Sequence, residues 1–185
     1  FHIGEMVIPK GKATAIVGSN GAGKTTFLEC LCGIRKNKGI LVSNGREYHT
    51  KQRLGHIFMV MQDTNHQLFT ESVLEEVLIS MKEEREELAR EILEEAGLLS
   101  LADRHPMSLS GGQKQRLAMA CGVASESKIL LLDEPTSGLD RQNMEATARI
   151  LNRLKETGKT IITVTHDSEF IACVCDGVIQ MEGKN

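Results

Sequence analysis

Gly18-Ser-Asn-Gly-Ala-Gly-Lys-Thr25 packs three glycines, a lysine and two hydroxyls into eight residues. An apolar run, Ala13-Thr-Ala-Ile-Val17, leads into it, and a helical pattern from Thr25 leads out. In a strand–loop–helix of this kind, glycines let backbone N–H groups turn toward phosphate oxygens, and the helix N-terminus adds a positive dipole. The predicted nucleotide-binding residues are Gly18, Ser19, Asn20, Gly21, Ala22, Gly23, Lys24, Thr25 and Thr26. Lys24 is placed to reach the β- and γ-phosphates, and Thr25 to offer its hydroxyl to Mg²⁺. A second group follows an apolar strand, Lys128-Ile-Leu-Leu-Leu-Asp-Glu134. Asp133 emerges at the strand's C-terminal end, where open α/β sheets bind ligands, and is predicted to hold Mg²⁺. Glu134 is placed to polarise a water for in-line attack on the γ-phosphate.

A third group is Leu109-Ser-Gly-Gly-Gln-Lys-Gln-Arg116. Two glycines ahead of a helix make a second anion-binding N-terminus, with the Ser110 hydroxyl as an added donor. Of six histidines, His166 stands out because it follows a strand predicted to end on the phosphate side. His2, His49, His56, His66 and His105 read as ordinary structural or surface residues. Five cysteines, an odd number, argue against a disulfide framework. The pairs Cys30/Cys32 and Cys173/Cys175 lack zinc-ligand partners at suitable spacing and are read as small buried apolar residues.

These groups need a scaffold to bring them together. Residues 1–17 read as two short strands around the turn Pro9-Lys-Gly11. Asn44-Gly45 is a hairpin turn, residues 57–61 a strand, and 82–96 a charged helix with Leu88, Ile92, Leu93 and Ala96 facing inward. Residues 142–157 form a helix with Met144, Ala148, Leu151 and Leu154 on its core face. Strands alternating with helices predict a mostly parallel, covered sheet. The 185 residues allow one domain with a subdomain, and the composition is that of an ordinary soluble protein. A net charge of −3 gives no reason to expect nucleic acid as a partner. No apolar run is long enough to span a bilayer, and no secretory signal is present.

Taken in order, these motifs resemble the ATP-binding-cassette (ABC) ATPase family over nearly the whole chain. The resemblance implies a P-loop NTPase (RecA-like) fold: a mostly parallel sheet, N-terminal antiparallel strands and an inserted α-helical subdomain. Residues 1–61 and 108–185 would form the core, and 62–107 the helical subdomain. Gln62 fits the family's Q-loop glutamine, Ser137-Gly-Leu-Asp140 its D-loop, and His166 its switch histidine. The resemblance implies ATP and Mg²⁺ as ligands and a head-to-tail dimer with two sandwiched ATP molecules. Each site would take Lys24, Thr25, Gln62, Asp133, Glu134 and His166 from one subunit, with Gln62 also a metal ligand. From the other it would take Ser110, Gly111, Gly112, Gln113 and the Asp140 loop. The family's adenine-stacking aromatic lies further upstream than the 17 residues preceding Gly18 allow, so it is expected outside this chain, as are the last elements of the domain.

The stretch Asn65-His-Gln-Leu-Phe-Thr-Glu-Ser-Val-Leu-Glu-Glu-Val77 is similar to the energy-coupling-factor (ECF) subgroup, whose members drive uptake of vitamins or of nickel and cobalt ions. This implies a transmembrane coupling subunit as partner, at the cytoplasmic face of a prokaryotic membrane. Ser72-Val-Leu-Glu75 reads as a capping box in which Ser72 caps a helix and Glu75 reaches back. Val73, Leu74, Val77, Leu78 and Met81 form its apolar stripe. Glu71, Glu75 and Glu76 are expected to project outward and meet basic residues of the coupling subunit. The competing assignments are a translation or regulatory ABC factor and a DNA-repair-type head. A repair head carries a long coiled coil between the phosphate loop and Ser110, and this chain has no room for one.

Overall fold

The computed structural model describes residues 5–182. Phe1, His2 and the rest of the first and last few positions, including Gly183, Lys184 and Asn185, lie outside the described residues. The chain runs β1 (Ala13–Val17), α1 (Lys24–Cys32), β2 (Leu41–Ser43), β3 (Arg46–Tyr48), β4 (Ile57–Val60), α2 (Val73–Ile79) and α3 (Glu86–Glu95). It continues α4 (Gly111–Ala124), β5 (Ile129–Asp133), α5 (Arg141–Glu156), β6 (Thr160–Val164), α6 (Ser168–Val174) and β7 (Gly177–Gln180). The five-stranded sheet has the order β4-β5-β6-β1-β7, and all its pairings are parallel.

Alternation along the strands explains why both faces are covered. Leu130, Leu132 and Ile161 point to one side, where they pack with Met144, Ala148 and Leu151 of α5, Phe170 of α6 and Met119 of α4. Leu131, Ile162 and Val164 point to the other and meet Leu28 and Cys32 of α1. A third cluster joins Val73 and Val77 of α2, Ala89, Ile92 and Leu93 of α3, and Leu117, Ala120, Cys121 and Ala124 of α4. Helix α4 therefore packs on two sides, and most of its residues from Leu117 onward are buried. Such a helix shows no one-sided stripe in sequence.

The antiparallel pair lies at β2–β3, joined by Asn44 (φ 53°) and Gly45 (φ 73°). Two successive positive φ values give the tight hairpin turn that Asn-Gly favours. Residues 5–9, expected to contribute a strand, form none. Val7 is 79% exposed, and Pro9 has no N–H to give a ladder. Helix α3 begins at Glu86, later than the periodicity predicts. Residues 82–87 are all exposed, and packing begins only at Leu88. Helix α4 begins at Gly111, so both glycines of the Ser110 turn lie inside its first turn and not ahead of it.

Candidate functional site

Strand β6 lies between β5 and β1, so three parallel strands deliver their C-terminal ends side by side. From β1 comes the glycine loop. Gly23 adopts φ 89° as N-cap of α1, and Ala22 N donates to Ser19 O at 3.1 Å. Gly18 passes so close to Met181 that an added Cβ would sit 2.4 Å from its carbonyl oxygen. Lys24 is 8% exposed, and its Nζ donates to Gly18 O at 2.8 Å and Ser19 O at 3.1 Å. The lysine ammonium is thus folded back onto two carbonyls of the loop that precedes it.

From β5 come two carboxylates with different surroundings. Asp133 is 3% exposed, and its Oδ1 has no hydrogen-bond partner among the described residues. Burial raises its pKa, while a hydrogen bond from the Thr25 side chain and the charge of Lys24 work against that rise and Glu29 adds to it. A buried, unsatisfied carboxylate oxygen beside a hydroxyl suits a hard cation that takes one or two protein ligands and completes its shell with phosphate and water. Glu134 turns into the left-handed region at φ 47°, unusual for a side chain of its size. Its N–H donates to Val164 O at 2.8 Å, which fixes the turn to the end of β6. Its Oε1 lies 3.6 Å from Nε2 of His166. His166 is held at its turn by its neighbour: Asp167 N donates to Thr165 Oγ1 at 3.1 Å, and Asp167 Oδ1 caps α6 by accepting from Phe170 N at 3.0 Å.

From β4 comes Gln62. The Gln67 carboxamide anchors this edge strand's exit, with Nε2 donating to Met59 O at 2.9 Å and Oε1 accepting from Met61 N at 3.2 Å. These elements enclose a cleft of about 650 Å³. It is lined by Asn20, Gly21 and Gly23 of the loop, by Lys24, Thr25 and Thr26 of the first turn of α1, and by Gln62, Asp133, Glu134 and His166. Ser137 and Val164 complete the wall. Ser137 stands out in the sequence only as the first residue of the D-loop match, with no role in this cleft, and Val164 reads simply as a core strand residue. Of the predicted loop residues, Gly18 and Ser19 act through their carbonyls on Lys24, and Ala22 is buried beneath the loop.

Ser110, Gly111, Gly112, Gln113 and Asp140 do not line this cleft. Ser110 and Gln113 form a capping box at the start of α4: Ser110 N donates to Gln113 Oε1 at 2.9 Å and Gln113 N to Ser110 Oγ at 3.4 Å. The Ser110 hydroxyl proton remains available for donation. Asp140 caps α5, its Oδ1 accepting from Asn143 N at 2.8 Å.

The Ser72 segment departs from its expected chemistry. Ser72 Oγ does cap α2, accepting from Glu75 N at 3.1 Å, but Glu75 makes no reciprocal bond among the described residues. Glu76, expected outside, is 3% exposed. Its Oε2 accepts from Phe69 N at 3.0 Å, Thr70 N at 2.9 Å and Thr70 Oγ1 at 2.7 Å. The turn before α2 leaves two adjacent N–H groups without backbone partners, and the carboxylate one turn into the helix satisfies both. Glu71 and Glu75 stay exposed, and Phe69 stands 74% exposed beside them. The cysteines form no disulfide among the described residues; Cys32 and Cys121 are buried, but Cys173 is exposed, so burial accounts for only part of the set.

The family described as ABC transporter matches residues 2–137. A putative ABC transporter ATP-binding protein of Treponema denticola is 46% identical over 94% of this chain and 36% of its own length. The arginine transport ATP-binding protein ArgV of Corynebacterium glutamicum is 36% identical over 96% of this chain and 78% of its own length. The chain thus spans little more than a third of the first of these relatives. The putative HMP/thiamine import ATP-binding protein YkoD of Bacillus subtilis is 36% identical over 92% of the chain and 32% of its own length. Among solved structures, the ATP-binding cassette MJ0796, dimeric in a post-hydrolysis state with ADP and Pi, aligns with TM-score 0.82 at 30% identity, covering 100% of this chain and 93% of that one. The cbiO1 protein of Clostridium perfringens, part of the ABC transporter complex cbiONQ, aligns with TM-score 0.81 at 34% identity, covering 95% and 75%.

Proposed function

The chain belongs to the ABC transporter family of ATP-binding domains, and from that premise we propose that it hydrolyses ATP to power transmembrane transport, working as an ATP-sandwich dimer in ECF-type import of a vitamin or metal ion. The observation that carries the catalytic part is the convergence of Lys24, Asp133, Glu134, His166 and Gln62 on one cleft. Lys24 and the N–H groups of the glycine loop bind and orient the phosphates. Thr25 and Asp133 would hold Mg²⁺, which when bound neutralises charge on the β- and γ-phosphate oxygens. Glu134 accepts the proton of the attacking water as general base, and the neighbouring His166 and Gln62 hold the water and γ-phosphate in line. Ser110, Gly111, Gly112, Gln113 and Asp140, which do not line this cleft, serve the ATP of the partner domain.

The import reading is supported by the Asn65 to Val77 stretch, by the likeness to YkoD, a putative HMP/thiamine import protein, and by the likeness to cbiO1. In this reading residues 62–107 form the helical subdomain, and the exposed face of Phe69, Glu71 and Glu75 docks a basic helix of the coupling subunit. Among the described residues no helix is long and apolar enough to cross a membrane, so the domain would sit peripherally, held by that subunit. Substitution Glu134→Gln in the intact protein tests the catalytic assignment. Loss of a general base lowers turnover by about 10²–10⁴-fold, while the phosphate contacts survive and an ATP-bound dimer accumulates. Turnover at the wild-type rate would refute it. Charge reversal at Glu71 and Glu75 tests the docking face, and undiminished recovery of the coupling subunit with the reversed protein would sink that part.

A further inference from the structure

The first turns of α4 and α5 meet around one side chain, Asn143. Its Nδ2 donates to Asp140 Oδ1 at 2.9 Å, alongside its own backbone N–H on the same oxygen. Its Oδ1 accepts from Nη1 of Arg116, whose Nε donates to Ala96 O at 3.0 Å. The amide is thus held on both its polar atoms and cannot swing aside without losing them. Gly112 lies directly against it: a Cβ there would fall 2.9 Å from Asn143 Cγ and Oδ1 and 3.1 Å from Nδ2. Real Cβ atoms do not approach this closely, so either the amide or the helix would have to move.

We infer that Asn143 is a positioning residue that locks the Ser110–Gly112 turn and the Asp140 loop into one unit, and that Gly112 is a glycine because Asn143 occupies the space of its side chain. The functional consequence rests on the proposed reading, in which both segments are presented to the ATP of a partner domain. The two segments come from distant parts of the chain and must fit one nucleotide together. A rigid tie presents both at once, and without it each must be ordered during association. The tie lies wholly within one chain, so its removal leaves the glycine loop and its affinity for ATP untouched.

The test uses Gly112→Ala, Asn143→Ser, the double variant and Asn143→Ala in the intact protein, with urea unfolding midpoint, ATP affinity, and kcat and KM for ATP as readouts. Gly112→Ala is expected to lower the midpoint, and Asn143→Ser to cancel most of that loss in the double variant, because the clash has gone. Equal losses from Gly112→Ala in both backgrounds overturn the steric claim, as does a double variant that folds no better than Gly112→Ala. Asn143→Ala is expected to lower kcat on the order of tenfold or more with ATP affinity unchanged. An unaltered kcat overturns the positioning role, as does a fall explained wholly by weaker ATP binding. If the wild type hydrolyses no ATP, the proposed function fails and with it the positioning role, while the unfolding midpoints still decide the packing claim.

Discussion

Replacing Glu76 by alanine should destabilise the protein far more than the same change at its neighbour Glu75. The Glu76 carboxylate is 3% exposed and receives three hydrogen bonds on one oxygen, from Phe69 N, Thr70 N and Thr70 Oγ1. A hydrogen bond to a charged group contributes about 1.5–3 kcal/mol, and a donor left unsatisfied costs about 1–3 kcal/mol. Three donors sharing one acceptor do not add fully, and the turn is half open to water, so the net loss is about 3 kcal/mol. For a chain of this size that is a fall in Tm of about 6–12 °C. Glu76→Gln keeps an acceptor oxygen but loses its charge, and should cost about 1–2 kcal/mol. Glu75→Ala removes an exposed side chain and should stay within about 0.5 kcal/mol. Urea unfolding of the three variants reads these differences, and proteolysis within residues 62–72 should increase in Glu76→Ala alone. If Glu76→Ala lost less than about 1 kcal/mol, or Glu75→Ala lost as much, the carboxylate would not be holding the turn.

Gly18→Ala places a methyl 2.4 Å from Met181 O, so the loop must shift; ATP affinity by calorimetry should fall at least about tenfold, some 1.4 kcal/mol, and an unchanged affinity would show that the contact is soft. Lys159 donates to Gly122 O and Ser125 O at the end of α4, and burial, with Lys128 adding, lowers its pKa from 10.5 to about 8. Between those values the unfolded chain binds more protons than the folded one, so this group's contribution to stability rises with pH from about 8 to 10.5 and is lost as pH falls through 8. Lys159→Met should abolish that rise in the unfolding midpoint, and an identical pH profile in the variant would contradict it. Burial pushes the Cys121 thiol up to about 12, and its Sγ donates to Glu76 O at 3.3 Å. A disulfide reagent should therefore label exposed Cys173 in the native protein and Cys121 only on unfolding; native-state labelling of Cys121 in a Cys173→Ser chain would count against the buried assignment.

The glycine loop, Asp133 and Glu134 stand out in the sequence because their spacing is local, whereas Gln62 is reached only through the family resemblance and Val164 reads as a core strand residue. A glycine loop between strand and helix, and an aspartate at the end of an apolar strand, place their groups by short-range geometry alone. The unbroken apolar run Leu130-Leu131-Leu132 likewise needs no tertiary knowledge to predict a sheet covered on both faces. Residues 5–9 look extended and apolar in sequence yet form no strand, because that look does not guarantee a partner strand. Helix α3 is shorter than the predicted 82–96 because charge tolerates a helix without requiring one.

What the linear pattern could not decide was direction. Glu71, Glu75 and Glu76 are the same residue type, and their spacing just before and within α2 does not say which faces a turn with two unpaired N–H groups. Only the folded chain turned Glu76 inward and left Glu75 outside. Only the folded chain set Glu134 at a positive φ beside His166, and pressed Asn143 against Gly112, because these depend on where separate elements meet. Short-range sterics and periodicity are written in neighbouring residues. The sharing of one carboxylate, one amide or one ångström of space between distant segments is a property of packing, and it exists only once the sheet and helices have closed on each other.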